Sequence, residues 1–329
     1  MKTLVTGASG FVGSAVARQM IDAGHEVRVL VRPASDRRNL QGLAVEIVEG
    51  DLRDTGSLQK AVRGCSHLFH VAADYRLWIP DPQTMYEINV EATRNLLRAA
   101  GEAGVSQIVY TSSVATLGCR DDGSPADENT PTSLAMMIGH YKRSKFLAEQ
   151  EVLRLVENEH LPVIIVNPST PIGPRDIRPT PTGRIVLDVL RGNMPAYLDT
   201  GLNIVHVDDV ARGHLLACAH GKYGERYILG GENHSLRAIL EMIAEIADVA
   251  APKLRLPHNI VLPAAWLMEK WAYVSGREPR ATVDSIRMAR KYMYFSCDRA
   301  MRELGYRYRP AREAVKDAVD WFRKHDYCS

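Results

Sequence analysis

Short apolar runs alternate with amphipathic segments along the first two thirds of the chain. The runs are predicted strands and lie at 3–6, 27–31, 44–48, 67–71, 107–111 and 162–166. Segments with apolar residues at helical spacing separate them, at 11–23, 58–62, 84–100 and 139–157. This alternation predicts right-handed βαβ units and a parallel sheet with helices on both faces.

The pattern changes after residue 168, where five prolines interrupt it within 14 residues. The stretch 203–210 is predicted to be a strand that returns to the sheet, and helices are predicted at 235–247, 263–274, 281–292 and 312–325. We therefore expect an α/β fold. A Rossmann, doubly wound parallel sheet would occupy 1–168, completed by a strand and a helix near 200–220. A smaller C-terminal mixed α/β region, 169–329, would mainly bind substrate.

Composition and charge exclude several classes of protein. Of the 329 residues, 46% are hydrophobic and 24% are charged, which is ordinary for a globular protein. The formal net charge is +2, so no global field favours nucleic acid or an anionic membrane. A small-molecule partner is expected instead.

The cysteines and the apolar stretches bear on location. The five cysteines have no CxxC spacing, which indicates reduced thiols in a cytoplasmic protein and neither a disulfide frame nor a metal site. Met1 and Lys2 lead straight into the first strand, with no leader pattern. The longest apolar stretch near the C-terminus, 260–267, is too short to span a bilayer and contains Pro263.

A glycine-rich turn follows the first predicted strand. Gly7, Gly10 and Gly13 allow a tight turn, a close backbone approach to a pyrophosphate and close helix packing. The helix that starts there offers free N–H groups and a positive dipole to phosphates. The strand–turn–helix setting predicts dinucleotide binding rather than an ordinary turn.

The residues after the second strand bear on which dinucleotide is bound. NAD binders place an acidic residue there, at the adenosine ribose. This chain has Arg32 and then Arg37 close by, and such cations suit a 2′-phosphate. NADP is therefore favoured, while Asp36 in the same run keeps NAD open.

Later strand ends carry further candidate cofactor residues. Gly50-Asp51-Leu52 follows the third strand, where Asp51 would reach the adenine amino group. Val71, Ala72 and Ala73 end the fourth strand, where small side chains let the cofactor pass. Core packing is an alternative for both alanines.

Tyr141 and Lys145 are the candidate proton-transfer pair. They lie four residues apart and therefore share a helix face. A nearby ammonium and a positive nicotinamide favour the phenolate, so that the phenol can exchange the proton that accompanies hydride transfer. Ser112 and Ser113 end the fifth strand, where either hydroxyl would polarise a carbonyl or cap a turn.

These motifs together resemble the extended short-chain dehydrogenase/reductase family, in the NAD-dependent epimerase/dehydratase superfamily. The resemblance rests on the glycine turn, Gly50-Asp51-Leu52, His70-Val71-Ala72-Ala73, Asn89-Val90-Glu91-Ala92-Thr93, the Tyr–Lys pair, Asn167-Pro168-Ser169 and His206-Val207-Asp208-Asp209-Val210. It spans roughly residues 1–215. It implies a nicotinamide-dependent enzyme.

The resemblance also implies roles for single residues. Ser113, Tyr141 and Lys145 match the family's catalytic triad, and Asn89 matches an asparagine on the helix beside the active site. Phe11, Val12 and Asp51 match cofactor contacts, as do Pro168 and Ser169. The helices at 84–100 and 139–157 match a two-helix surface that forms a homodimer in such proteins.

Departures from the family pattern restrict the reaction. Val114 and Ala115 follow Ser113, where dehydratases of the family place an acid. Leu202-Asn203 stands where nucleotide-sugar epimerases carry Arg-Asp, unless Arg175, Arg178 or Arg184 replaces that arginine. The chain resembles the dihydroflavonol-4-reductase-like branch, which implies an NADP-dependent oxidoreductase acting on a secondary alcohol or carbonyl.

The sequence leaves two other functions open and contains a cluster of aromatic residues. The tail 317–322 resembles hopanoid-associated sugar epimerases, which implies an epimerase with tightly bound cofactor; a catalytically idle NADP sensor is the third possibility. The cluster comprises Tyr75, Trp78, Trp266, Trp271 and Tyr273. Packing in the core or a dimer is favoured for these side chains, and substrate contact by Tyr75 and Trp78 is the alternative.

Overall fold

The computed structural model describes residues 1–277, 279 and 281–328. The strands are β1 (Lys2–Thr6), β2 (Glu26–Val31), β3 (Val45–Glu49), β4 (His67–His70), β5 (Gln107–Thr111), β6 (Val163–Pro168), β7 (Thr170–Ile172), β8 (Ala196–Leu198), β9 (Gly201–His206), β10 (Arg226–Leu229), β11 (Glu232–Ser235), β12 (Leu254–Leu256) and β13 (Tyr292–Met293). The helices are α1 (Phe11–Asp22), α2 (Thr55–Val62), α3 (Gln83–Tyr86), α4 (Ala92–Glu102), α5 (Gly139–Glu159), α6 (Pro181–Leu190), α7 (Val207–His220), α8 (Leu236–Ala247), α9 (His258–Ser275), α10 (Val283–Met288), α11 (Asp298–Leu304) and α12 (Ala311–Lys324).

The main sheet confirms the predicted α/β fold. Its seven strands are all parallel and lie in the order β10-β6-β5-β4-β1-β2-β3. The strand order reverses between β1 and β4. In open parallel sheets a ligand crevice forms at such a reversal, outside the carboxyl ends of the strands.

Each inner strand sends side chains alternately to two apolar layers. Val5, Val109 and Ile164 pack on one face against α1 and α7. Leu4 and Ile108, their neighbours in sequence, pack on the other face against α2, α4 and α5. This is why the strands are apolar throughout and not alternating.

The strand predicted at 203–210 lies elsewhere than expected. β9 belongs to a second sheet, in which it pairs with β7, β11 and β13, and the helical part of that stretch is the start of α7. The expectation that this strand returns to the main sheet is therefore wrong. A parallel neighbour of β6 needs a crossover helix first, and α7 supplies it, so β10 is the strand that returns.

Several predicted helices differ in extent from the observed ones. The segment predicted at 84–100 is divided into α3, a π-helical turn at Glu87–Glu91 and α4. The helix predicted at 281–292 covers only α10, because β13 follows and pairs with β9. No helix in the described part of the chain is both long and apolar enough to cross a membrane.

Candidate active site

The glycine turn lies at the carboxyl end of β1, against the end of β4. Gly7 has φ +73°, and a Cβ there would lie 2.7 Å from the backbone N of Ala72. A Cβ at Gly13 would lie 2.2 Å from the carbonyl oxygen of Gly7. Both glycines are therefore required for the close backbone contacts that shape the turn.

The turn and its surroundings fit a dinucleotide. α1 starts after Gly10 without a side-chain cap, which leaves N–H groups in the first turn, at Phe11 and Val12, for an anion. The side-chain amide of Asn39 donates a hydrogen bond to the carbonyl oxygen of Gly10 at 3.3 Å and so stabilises the turn. Directly after Pro168, the last residue of β6, the buried Oγ atom of Ser169 has no hydrogen-bond partner among the residues that the structure describes.

The predicted adenosine end is rich in charged side chains. Arg32 is exposed directly after β2, and Arg37 forms an ion pair with Glu49 at the end of β3. Asp51 pairs with Arg53 at 3.0 Å, and this hydrogen bond is the main cause of its lowered pKa. Leu52 packs on the core beneath.

A buried chain of hydroxyl and imidazole groups supports the crevice where Val71, Ala72 and Ala73 line its wall. Thr6 Oγ1 lies 2.8 Å from Nδ1 of His70, whose Nε2 lies 2.9 Å from Oγ1 of Thr93. Burial lowers the pKa of His70 to about 3. A neutral imidazole at this place links β1, β4 and α4 and does not carry charge.

Ser113, just after β5, and Tyr141, in the first turn of α5, lie within hydrogen-bond distance of each other. Ser113 Oγ accepts a hydrogen bond from the backbone N of Ala115 at 3.1 Å. Burial raises the pKa of Tyr141, and a hydrogen bond with the Ser113 hydroxyl lowers it in part. A lowered pKa for the phenol therefore depends on positive charge at the nicotinamide position.

Lys145 is buried one helical turn from Tyr141. Its Nζ atom donates to the carbonyl oxygen of Thr111 at 2.8 Å and to the hydroxyl of Tyr110 at 3.0 Å. Burial lowers the pKa of Lys145 to about 7, and the carboxylate of Glu149 opposes that shift. The lysine is thus a titratable group at neutral pH.

Glu149 extends the Tyr141–Lys145 stripe by another helical turn. The side chain is 1% exposed. Its Oε2 atom accepts from Asn167 at 2.9 Å and from Thr116 at 3.0 Å. Asn167 also donates to the carbonyl oxygen of Ser113 at 3.0 Å. The carboxylate therefore holds the Ser113 loop while it supports the charge of Lys145.

Asn89 is placed beside the site by the π-helical turn. Its Oδ1 atom accepts from the backbone N of Asp74 at 2.7 Å. Its Nδ2 atom donates to the carbonyl oxygen of Asp74 at 2.8 Å and to Oγ of Ser144 at 2.9 Å. The amide thus fastens the loop after β4 to α5, next to Lys145.

Tyr75 lies in that loop and faces the C-terminal region. Burial is the main cause of its raised pKa, which also responds to the charges of Asp176, Arg178 and Arg184. Asp176 is 2% exposed, and its Oδ1 atom has no partner within the described residues. These polar groups meet on one side of the crevice mouth.

Arg175 lies beside the glycine turn, whereas Trp78 lies against helix α9. The Arg175 guanidinium forms an ion pair with Asp208 of α7. The backbone carbonyl oxygen of Arg175 accepts a hydrogen bond from the Asn39 amide at 3.1 Å, so Arg175 links the glycine turn to α7. Trp78 contacts Tyr273 of α9 with ring centroids 5.9 Å apart. Trp78 Nε1 is buried and has no acceptor in the described part of the chain.

For Trp266, Trp271 and Tyr273 of the aromatic cluster, the expectation of packing in the core is wrong, whereas packing in a dimer stays a prediction. Trp266, Trp271 and Tyr273 are 52%, 68% and 62% exposed. The inner side of α9 is formed by Ala265 and Ala272, the two buried residues of this helix. Tyr75 is partly exposed, at 44%, so its surroundings desolvate the side chain only in part.

Three further groups escaped the sequence analysis. Glu149 carried a usable signal, because it repeats the four-residue step from Tyr141 to Lys145. Asn39 carried none, since it reaches the glycine turn and Arg175 only through contacts between distant segments. Asp176 accepts hydrogen bonds from nearby Thr180, but its place beside Tyr75 depends on the fold.

The family model that matches this chain describes the NAD dependent epimerase/dehydratase family. The match covers residues 3–230, from β1 to the end of β10. It therefore includes the whole main sheet, the glycine turn and the Ser113, Tyr141 and Lys145 group.

Similar proteins match nearly the full chain. A Synechocystis sp. protein, provisionally named a dihydroflavonol 4-reductase, is 47% identical over 98% of this chain and 95% of its own. Sterol demethylase protein B of Methylococcus capsulatus is 36% identical over 98% of this chain and 99% of its own. The solved structure of gox2253 is 58% identical, covers 99% of both chains and superposes with a TM-score of 0.90.

Proposed function

The chain belongs to the NAD-dependent epimerase/dehydratase family of NAD(P)-dependent enzymes, and on that premise we propose that it is an NADP-dependent reductase of a secondary alcohol/carbonyl pair. The observation that carries the proposal is the convergence of Ser113, Tyr141 and Lys145 at the strand ends, beside the Gly7 turn.

The side chains divide the work at a carbonyl oxygen. A bound nicotinamide supplies the hydride. The Ser113 hydroxyl orients the oxygen, and Tyr141 gives it a proton. Lys145 provides positive charge that favours the resulting phenolate, and Glu149 keeps more of that lysine charged than burial alone would allow.

The cofactor preference rests on the end of β2. Arg32 is exposed there and Arg37 is near, so both guanidinium groups would reach a 2′-phosphate. Glu49 holds Arg37 in the structure, and a phosphate would compete for that ion pair. We therefore assign NADP, with NAD as the alternative cofactor.

The residues around Ser113 and Asn203 favour an apolar substrate without a nucleotide diphosphate. Val114 and Ala115 follow Ser113 and supply no acid for an elimination. The Asn203 amide, near the start of β9, donates to the carbonyl oxygens of Gly231 and Phe295, so it braces the fold instead of binding a phosphate. Two relatives carry names of enzymes for polycyclic compounds, a dihydroflavonol and a sterol.

Sugar epimerisation is the second candidate function. The observation that favours it is the polar group around Tyr75, in which Asp176, Arg178 and Arg184 would bind hydroxyl groups or a phosphate. Such an enzyme keeps its cofactor through oxidation and reduction of the same carbon.

A single preparation separates the two functions. The purified chain is denatured, the released nucleotide is identified, and the protein is then assayed for NADPH oxidation with flavanonols, steroid ketones and nucleotide sugars. Oxidation of NADPH by a ketone supports the reductase. Stoichiometric bound cofactor, no net NADPH consumption and interconversion of sugar epimers would replace it by the epimerase.

A further inference from the structure

Helix α9 presents an apolar stripe to solvent. Ile260, Leu267, Trp271 and Val274 are 66%, 61%, 68% and 80% exposed. Their spacings of seven, four and three residues place them on one side of the helix. The opposite side contains its two buried residues, Ala265 and Ala272. An exposed stripe of this kind marks an interaction surface.

Further apolar side chains widen the stripe towards the crevice. Trp266 and Tyr273 lie beside it on the same helix and are also exposed. Tyr273 contacts Trp78, in the loop that follows β4. The apolar surface therefore extends from α9 to the rim of the candidate active site.

The surroundings of α9 are strongly basic. Among the described residues of 251–291, the basic ones are Lys253, Arg255, Lys270, Arg277, Arg287, Arg290 and Lys291, and the acidic ones are Glu269 and Asp284. Lys270 lies over the ring of Trp266, 5.6 Å from its centroid. The cations thus lie among the exposed aromatic side chains, while the chain as a whole carries only +2.

The charge pattern distinguishes between two occupants of this surface. A second copy docked through a two-fold axis would bring the same cations against each other. Several cations are already compensated: Arg287 lies 3.8 Å from Asp284, and Arg255 and Lys291 pair with Asp199 and Asp121 at 3.2 and 3.7 Å. Glu269 accepts from the backbone N of Val283, so Lys270 and Arg277 are the cations that lie beside the stripe. A partner of opposite charge with an apolar layer is required.

We propose that α9 docks the enzyme on the surface of an anionic lipid bilayer. The stripe Ile260, Leu267, Trp271 and Val274 enters the boundary between headgroups and acyl chains, and Lys270 and Arg277 bind lipid phosphates. Tryptophan suits this boundary, where an apolar ring meets a polar layer. The helix lies along the surface and does not cross it, because Lys270 and Glu269 interrupt its apolar sequence.

Docking in this way would bring the crevice mouth to the membrane. Trp78, in the loop after β4, contacts Tyr273 of α9. Asp284 of α10 lies close to Gly139, the first residue of α5: a Cβ at Gly139 would lie 3.1 Å from its carboxylate. An apolar substrate would then enter from the lipid layer; this last step rests on the proposed reductase function, whereas the docking does not.

Vesicle binding tests the docking directly. The full chain is sedimented with vesicles of phosphatidylcholine alone or mixed with phosphatidylglycerol, and tryptophan emission is recorded. We expect binding to the anionic vesicles, a blue shift of the emission and release by salt. The double variant Leu267→Gln/Trp271→Gln should bind at least about tenfold more weakly, since two apolar anchors are removed.

Matched variants separate charge, apolar contact and misfolding. Lys270→Glu with Arg277→Glu should lose the preference for anionic vesicles. Tyr223→Gln, which changes an exposed aromatic residue away from α9, should bind like the unchanged chain. Thermal unfolding and NADPH binding of each variant show that it is folded.

Two results would overturn the proposal. One is vesicle binding that the α9 variants leave undiminished. The other is absence of binding to the anionic vesicles; a dimer that Leu267→Gln/Trp271→Gln dissociates would then assign the surface to a second copy. Neither readout needs turnover, so a failure of the reductase assignment would be seen separately.

Discussion

Lys145 donates a hydrogen bond to the hydroxyl of Tyr110 over 3.0 Å and lies 4.7 Å from the centroid of that ring. The tyrosine belongs to β5, so the sheet itself holds the ammonium group. A cation over an aromatic face is stabilised even when it is desolvated. This contact positions Lys145 next to Tyr141 before any ligand is bound.

Replacement of Glu149 should shift the pH dependence of turnover. Reduction requires charged Lys145, whose pKa is about 7, so kcat/KM should fall as the pH rises through that value. The Glu149 carboxylate raises the pKa of Lys145, and Glu149→Gln removes that effect. We expect the falling limb of the pH–rate profile to move to lower pH.

A neighbouring glutamate provides the control for this variant. Glu151 lies on the same helix but pairs with Arg154 at the surface, at 2.6 Å. Glu151→Gln should leave the profile where it is. An unchanged limb in folded Glu149→Gln would show that the carboxylate does not act on Lys145.

Loss of the Tyr141 hydroxyl should remove turnover without removing cofactor binding. Tyr141→Phe keeps the ring but has no proton to transfer, and positioned proton transfer contributes about 10²- to 10⁴-fold to rates. We expect kcat to fall by that factor and the Kd for NADPH to change little, as measured by steady-state kinetics and fluorescence titration. Tyr86→Phe, at the surface beside His140, is the matched control. Near-normal kcat in Tyr141→Phe would refute its role.

Substitutions of Arg32, after β2, and of Glu49, at the end of β3, should change NADPH affinity in opposite directions. Arg32→Ser removes a cation for the 2′-phosphate, and we expect NADPH to bind about tenfold more weakly while NADH is unaffected. Glu49→Gln releases Arg37 from its ion pair and should tighten NADPH binding. Arg98→Ser, in a surface pair with Glu159, controls for loss of charge. Equal effects on both cofactors would contradict a phosphate site here.

Asp176 should make folding stability depend on pH. Burial raises the pKa of Asp176 from 3.8 to about 6, so the folded protein still holds this proton when the unfolded chain has lost it. The Asp176 carboxyl therefore lowers the free energy of unfolding as the pH rises from about 4 to about 6, and this destabilisation persists above pH 6. Asp176→Asn should gain up to about 3 kcal/mol over the unchanged chain across this range.

Urea unfolding at several pH values measures the effect. The difference in the free energy of unfolding between Asp176→Asn and the unchanged chain should grow from pH 4 to pH 6. Asp320→Asn, at an exposed position of α12, should show no such trend. A difference that stays constant with pH would mean that Asp176 is not protonated in the folded state.

The sequence was sufficient for six of the seven strands of the main sheet, because each of these is a local apolar run, but the short strand β10 was not predicted. It was not sufficient to assign β9, since the pattern of a strand does not indicate which sheet the strand joins. The crossover through α7 makes that choice, and it depends on the packing of α7 against α1. The same limit applies to α9, whose aromatic residues were expected in the core or in a dimer and are exposed on the single chain.

The predicted site residues came from spacing along the chain. The turn at Gly7–Gly13 and the Tyr141–Lys145 pair are local patterns with a direct chemical meaning. The groups that hold the Tyr141–Lys145 pair and its helix in place come from distant segments: Tyr110 from β5 and Asn167 from β6. Only the fold brings these groups to the catalytic helix.

The late position of β10 in the chain has a consequence for synthesis. β6 ends at Pro168, and its outer neighbour begins only at Arg226. During translation the edge of β6, an apolar strand, leaves the ribosome long before the strand that covers it. Unpaired apolar edges recruit other chains. A nascent chain arrested before Arg226 should therefore engage holding chaperones, and one extended beyond Leu229 should be released from them.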